Sequence, residues 1–252
     1  MSKKITKLQK LSFVAFLFFT SILSANAAPG ISIDLGQGSE GVSSGIQILI
    51  LLTILSVAPS ILLMTTCFVR FIIVFGMLRT AMGLGQLPPT QILVGLSLIL
   101  TFIVMQPTFT KINDTALQPF INSQIDEKAF IDRAYTPLAE FMSTQTSDQD
   151  IEMTLKLANL KERPESLEAM PKHILVAAFM LSELRKAFQI GFMLFLPFVI
   201  IDMIAASALV SVGLMFLPPT TISLPFKIVL FILIDGWVIL SEGLVNSIQV
   251  VN

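Results

Sequence analysis

Four apolar stretches limit what this chain can fold into. Residues 46–78, 93–106 with their flanks, 190–217 and 222–251 run almost without charge. At 1.5 Å per helical residue, such stretches match or approach the roughly 30 Å hydrocarbon core of a bilayer. Only 13% of the 252 residues are charged and 54% are hydrophobic, where soluble domains carry about 25% and 45–50%. So few charges cannot cover a soluble surface, so the apolar helices must face lipid or other protein. The net charge of −1 offers no basic excess to nucleic acid. Cys67 is the only cysteine and His173 the only histidine. An intrachain disulfide is therefore impossible, and neither a zinc site nor a histidine-based triad is expected. No P-loop, nucleophile elbow or glycine-rich dinucleotide loop occurs, so the chain reads as a non-enzyme without a cofactor.

The N-terminus has the form of a signal peptide. Lys3, Lys4, Lys7 and Lys10 precede a short apolar core at 11–23, and Ala25-Asn26-Ala27 is a small-x-small cleavage site. Cleavage near Ala27 defines 1–27 as signal peptide and starts the mature chain outside the cytoplasm. The Gly- and Ser-rich residues 28–45 read as a flexible lead-in.

The rest reads as an all-α protein of two apolar helical hairpins, 46–107 and 187–252, around a polar helical insert, 108–186. The run 46–78 is longer than one span needs and contains Pro59 and Arg70, so it is either a tilted, kinked span or two shorter helices. Leu87-Pro88-Pro89-Thr90 joins the first two apolar stretches and Leu217-Pro218-Pro219-Thr220 joins the last two. In each, the prolines would end one helix and the threonine could cap the next. Four crossings place the insert outside the cytoplasm, and its slight acidic excess agrees. Of the cytoplasmic turns, one has Arg79 and the turn at 217–221 has no charge. So weak a positive bias points to helices buried against protein. Within the insert, Ile174, Ala177, Ala178, Leu181, Leu184 and Phe188 recur at helical spacing, with Ser182, Glu183, Arg185, Lys186 and Gln189 largely opposite. Glu183 and Lys186, at i and i+3, can pair.

Charges inside apolar helices are costly and call for partners. Arg70, Asp202, Lys227, Asp235 and Glu242 are such cases. On one continuous helix, Lys227, Asp235 and Glu242 would share a stripe with Asn246 and Gln249. The stripe is a proton or ion path, or it pairs across helices or subunits; pairing is the better reading, since Asp202 stands alone on the preceding stretch. A secondary transporter using Asp202 and Asp235 as proton carriers, or a scaffold without a conduit, are the rival classes. The Leu214-Met215-Phe216-Leu217 loop is uncharged and bulky, and serves either as core filling or as a deformable seal.

Three motifs carry a family resemblance. Arg70-Phe71-Ile72-Ile73-Val74-Phe75-Gly76-Met77-Leu78-Arg79 precedes Gln86-Leu87-Pro88-Pro89. Ser182-Glu183-Leu184-Arg185-Lys186-Ala187-Phe188-Gln189-Ile190-Gly191-Phe192 runs on to Pro197 and Asp202. Leu217-Pro218-Pro219-Thr220-Thr221-Ile222-Ser223-Leu224-Pro225-Phe226-Lys227 runs on to Asp235-Gly236-Trp237. Together they resemble the FliP family of type III secretion export gates, and the signal peptide favours its flagellar branch over the injectisome branch. The resemblance implies a ring of about five copies with FliQ and FliR, and FlhA and FlhB as neighbours. That ring would sit in the inner membrane at the flagellar basal body, project toward the periplasm and pass unfolded flagellar proteins. It also implies a pore seal at Leu214, Met215, Phe216 and Leu217, where the family's loop is richer in methionine than this one. Further, it implies hairpin turns at Pro88, Pro89, Pro218 and Pro219. Arg70, Glu183, Arg185, Lys186, Asp202, Lys227, Asp235 and Glu242 are the expected buried or intersubunit charges.

Overall fold

A computed structural model describes residues 49, 52–53, 56–57, 59–61, 63–160, 164, 169–214 and 216–248. The signal peptide, the lead-in and Met215 lie outside the described residues. The chain divides into two units, Met1–Val57 and Ala58–Asn252. In the first, the described residues are helical. Among the described residues, the second holds the packed helices and the side-chain networks set out below.

All regular structure among the described residues is helical. The helices are α1 (Phe68–Met82), α2 (Thr90–Ile112), α3 (Gln118–Ile121), α4 (Glu127–Gln145), α5 (Asp148–Leu157), α6 (Lys172–Ser211), α7 (Pro219–Leu233) and α8 (Gly236–Asn246). A π-helical turn, Asn113–Leu117, joins α2 to α3. It has a local cause. Pro119 has no N–H to give, and its ring crowds the carbonyl of Thr115. The backbone widens, and the Gln118 N–H reaches back to the Asn113 carbonyl.

Helix ends follow from sequence where the caps are polar. Asp126 accepts from the Ala129 N–H to start α4, and Ser147 accepts from the Asp150 N–H to start α5. α1 stops at Gly83, which takes the left-handed conformation (φ 73°) that glycine adopts without strain. The threonines of the two Pro-Pro turns are not caps. Pro89 and Pro218 hold the cap positions of α2 and α7, without side-chain cap bonds, and Pro219 opens α7.

α6 is the axis of the unit. It has 40 residues, a length of about 60 Å, and α1, α4, α5 and α7 all pack on it. Phe71, Val74, Phe75 and Leu78 of α1 meet Leu175, Ala178, Phe179 and Ala187 of α6, closed over by Phe141 and Met142 of α4. Each of the Val, Leu, Phe and Met side chains among these contributes about 1.5–3 kcal/mol relative to exposure. The expected boundaries at 107/108 and 186/187 both fall inside unbroken helices, α2 and α6.

Of the two readings of 46–78, the broken one holds: residues 65–67 form a turn before α1. Two expectations are corrected. The buried face of α6 is Ile174, Leu175, Ala178, Phe179, Ser182, Glu183 and Ala187, while Ala177 and Phe188 are exposed. Two of the residues assigned to the polar side therefore lie inside. Finally, 222–251 is not one helix. α7 and α8 bend by 64° at Ile234 and Asp235, with Asp235 left-handed at φ 49°, ψ 49°. Aspartate tolerates that conformation better than most residues, and Gly236 packs its bare Cα against the Phe231 ring.

Candidate functional site

The charges singled out in the sequence gather into three ion-paired networks on α6. The first lies at the centre of the unit. Arg70 and Glu183 have fully buried side chains, 0% exposed each. The Arg70 Nε–H donates to Glu183 Oε2 at 2.8 Å, and one Nη2–H donates to Glu183 Oε1. The other Nη2–H reaches Gln145 Oε1 at 3.3 Å. Nη1 donates to the Ser247 carbonyl at 2.9 Å and to its hydroxyl at 3.0 Å. All five guanidinium N–H groups are thereby satisfied, which is what makes a buried arginine tolerable. One residue ties α1, α4, α6 and the end of α8 together.

The second network holds α5. Asp150 Oδ1 accepts from Arg185 Nη2 at 2.6 Å, and Oδ2 accepts from the Ser182 and Ser147 hydroxyls at 2.6 and 2.7 Å. Burial pushes the Asp150 carboxyl up, but the two hydroxyls and the charges of Arg185 and Lys186 outweigh it, and the group sits below its ordinary range. Lys186 donates to the Gln145 carbonyl at 2.6 Å. The local Glu183–Lys186 pair expected from spacing does not form, because Glu183 is taken by Arg70. Asp150 and Ser182 are site residues that the charge search missed. The available signal was Ser147-x-x-Asp150, a capping box with aspartate in the acidic place.

The third network sits between the long helices. Lys227 Nζ donates to Asp202 Oδ2 at 2.6 Å and to the Ala81 carbonyl at 3.0 Å, and the Ser223 hydroxyl donates to Asp202 Oδ1. Asp202, which seemed isolated, is paired with the lysine of the next helix. The Lys227 side chain is 4% exposed and that of Asp202 30%. Asp235 and Glu242 join none of these networks. Both are exposed: Asp235 occupies the bend, and Glu242 lies beside Leu96, Leu100, Trp237 and Val245. With the helix broken, the expected stripe does not exist.

Outward, the unit is apolar. Phe192, Met193, Ile200, Met203 and Ile204 of α6 and Phe226, Ile232 and Leu233 of α7 are exposed. At the α6–α7 loop, Leu214 and Leu217 are about half exposed and Phe216 fully, at 100%. Gly213, at φ 79°, turns the chain there. Thr90–Ile121 and Lys172–Ser211 are long and apolar enough to cross a membrane, and α7 with α8 adds a third crossing if the bent pair is one span. Among the described residues no group of three or more His, Cys, Asp or Glu could hold a metal ion.

Charges turned inward into satisfied pairs, with apolar helix faces and an apolar loop left outside, define an all-helical membrane protein. The FliP family model matches residues 51–244. The chain is 48% identical to the flagellar biosynthetic protein FliP of Bacillus subtilis over 221 residues, covering 86% of this chain and 98% of that one. It is 42% identical to that of Caulobacter vibrioides, covering 90% and 85%, and 43% identical to that of Aquifex aeolicus, covering 88% and 92%. The chain therefore belongs to the FliP family of flagellar biosynthetic proteins, components of the flagellar type III export apparatus.

Proposed function

We propose that the chain is a gate subunit. Several copies, together with FliQ and FliR and beside FlhA and FlhB, surround the path along which unfolded flagellar proteins leave the cell. The assembly sits in the inner membrane with its gate toward the periplasm, and the mature chain begins after a signal peptide cleaved near Ala27. Its role is mechanical, not catalytic.

The observation that carries this reading is the α6–α7 loop. A chain that places its buried charges in pairs leaves Leu214, Phe216 and Leu217 uncovered at the tip of a hairpin. Exposed apolar surface costs about 25 cal/mol per Å² in water. Brought together around one axis, such loops would cover one another, exclude water and ions, and still part for a passing chain. The pairing of Asp202 with Lys227 and Ser223 weighs against Asp202 as a free proton carrier.

The test is deletion of residues 214–217. The expected outcome is a complex that assembles and leaks small solutes or ions through membranes that the intact complex keeps tight. An assembled deletion variant with no leak would exclude the seal.

A further inference from the structure

We infer that the groove between α2 and α8 seats an apolar helix of a different chain, one that carries a lysine or arginine to pair with Glu242. The inference names the kind of neighbour this face takes, and it rests on the reading of the chain as one subunit of a larger assembly. A cavity of about 530 Å³ opens between the two helices. Leu96 and Leu100 form its α2 wall, and Trp237, Ser241 and Val245 its α8 wall. Beside that wall, Val238, Glu242 and Asn246 make an outer row at i, i+4 and i+8, and all three are exposed. On α2, Ile92, Leu96, Ile99, Leu100 and Ile103 share a stripe about 100° wide by their spacing. Ile92, Ile99 and Ile103 are exposed, and the stripe runs for about 16 Å, roughly three helical turns.

The apolar walls select a helix with an apolar face, and the carboxylate selects its charge. Glu242 makes no salt bridge among the described residues. It is tolerable while water reaches it. A wholly apolar partner would bury it unpaired, which is costly, whereas a partner with a cation would satisfy it. The apolar helices of this chain have no such cation to spare. Residues 28–69 contain no lysine or arginine. Arg70, Arg185 and Lys227 have carboxylate partners. Lys186 donates to the Gln145 carbonyl, and Arg79 donates to Pro88 and Thr90 at the α1–α2 turn. Lys111 lies about 16 Å along α2 from Leu100. Copies set around one axis hold equivalent residues at one level, so a neighbouring copy's Lys111 is out of step with Glu242. Charge complementarity therefore points to another chain.

The test reads contact, not export or leakage. The photoreactive residue benzoylphenylalanine would replace Val238 in the full chain, and the complex would be illuminated in membranes and then purified. The expected product is an adduct with a different chain of the complex, mapped by mass to an apolar helix with a lysine or arginine within about one turn of the adduct. Glu242→Lys sets like charges together and should lower the yield about tenfold or more, and Glu242→Gln severalfold. Glu242 is exposed, so both variants keep the fold; if Glu242→Lys does not, the isosteric Glu242→Gln decides. An adduct mainly with a second copy of this chain would overturn the inference. So would a partner helix without a cation there, or equal yields from Glu242→Gln and the unaltered protein. A complex that purifies intact without any adduct overturns the groove alone. If no complex purifies, the subunit reading fails and the inference falls with it.

Discussion

Removing Glu183 should be among the most damaging single changes this protein can suffer. Glu183→Ala strips two charge-assisted acceptors from Arg70, each worth about 1.5–3 kcal/mol. It leaves the guanidinium held only by Gln145 and Ser247, with 0% exposure and no route to water. Breaking a buried pair from one side costs about 3–5 kcal/mol, out of a total stability of about 5–15 kcal/mol for a typical domain. Glu183→Gln keeps one acceptor and should lose about half as much. The decisive variant is the double one. Arg70→Met with Glu183→Leu replaces both charges by apolar groups of similar bulk, and should recover most of the loss, since such replacements are often near neutral. Trp237 is the only tryptophan, so its fluorescence during thermal unfolding in detergent reports on all four proteins. Abundance in the membrane fraction gives a second readout. If Glu183→Ala melts with the unaltered protein, or if the double variant is no more stable than Glu183→Ala, the account of the hub is wrong.

Two other networks make sharper comparisons. At Asp202 and Lys227 the two deletions should be unequal. Asp202→Ala strands Lys227, whose side chain is 4% exposed, and should cost about 2–4 kcal/mol; Lys227→Ala strands Asp202, 30% exposed, and should cost about 1–2 kcal/mol. Equal melting losses, or the reverse order, would show that burial does not govern the pair. At Asp150 the folded carboxyl titrates below its ordinary value of 3.8. Its contribution is therefore fully present above about pH 4 and disappears as pH falls through the lower, folded value. The melting difference between the unaltered protein and Asp150→Asn should be constant near neutrality and shrink below about pH 4; a difference that holds down to pH 3 would contradict the pairing.

Much of this architecture was legible in the residues. Long apolar runs named the helices. The partners of the charges were not legible, because a local rule has no access to distant ones. Glu183 has Lys186 within one helical turn, yet Arg70, 113 residues away in sequence, supplies a planar donor fork that a lysine lacks. Asp202 and Lys227 are 25 residues apart and face each other only once the Pro218-Pro219 turn folds α7 back on α6. The face of α6 misled for a related reason. Apolar periodicity assumes that polar residues face outward, and Ser182 and Glu183 reverse that by serving buried partners. The bend between α7 and α8 did leave a sign, Asp235-Gly236, a turn dipeptide. It was outweighed by the unbroken hydrophobicity around it.

The sequence separations at the hub also impose an order on synthesis. Arg70 leaves the ribosome 113 residues before Glu183 and 177 before Ser247. At about 5–20 residues per second, the carboxylate arrives roughly 6–23 s after the guanidinium. During that interval α1 holds an arginine whose carboxylate partner does not yet exist. The full set of partners of Arg70 is in hand only once α6 and the segment that follows α8 have been made.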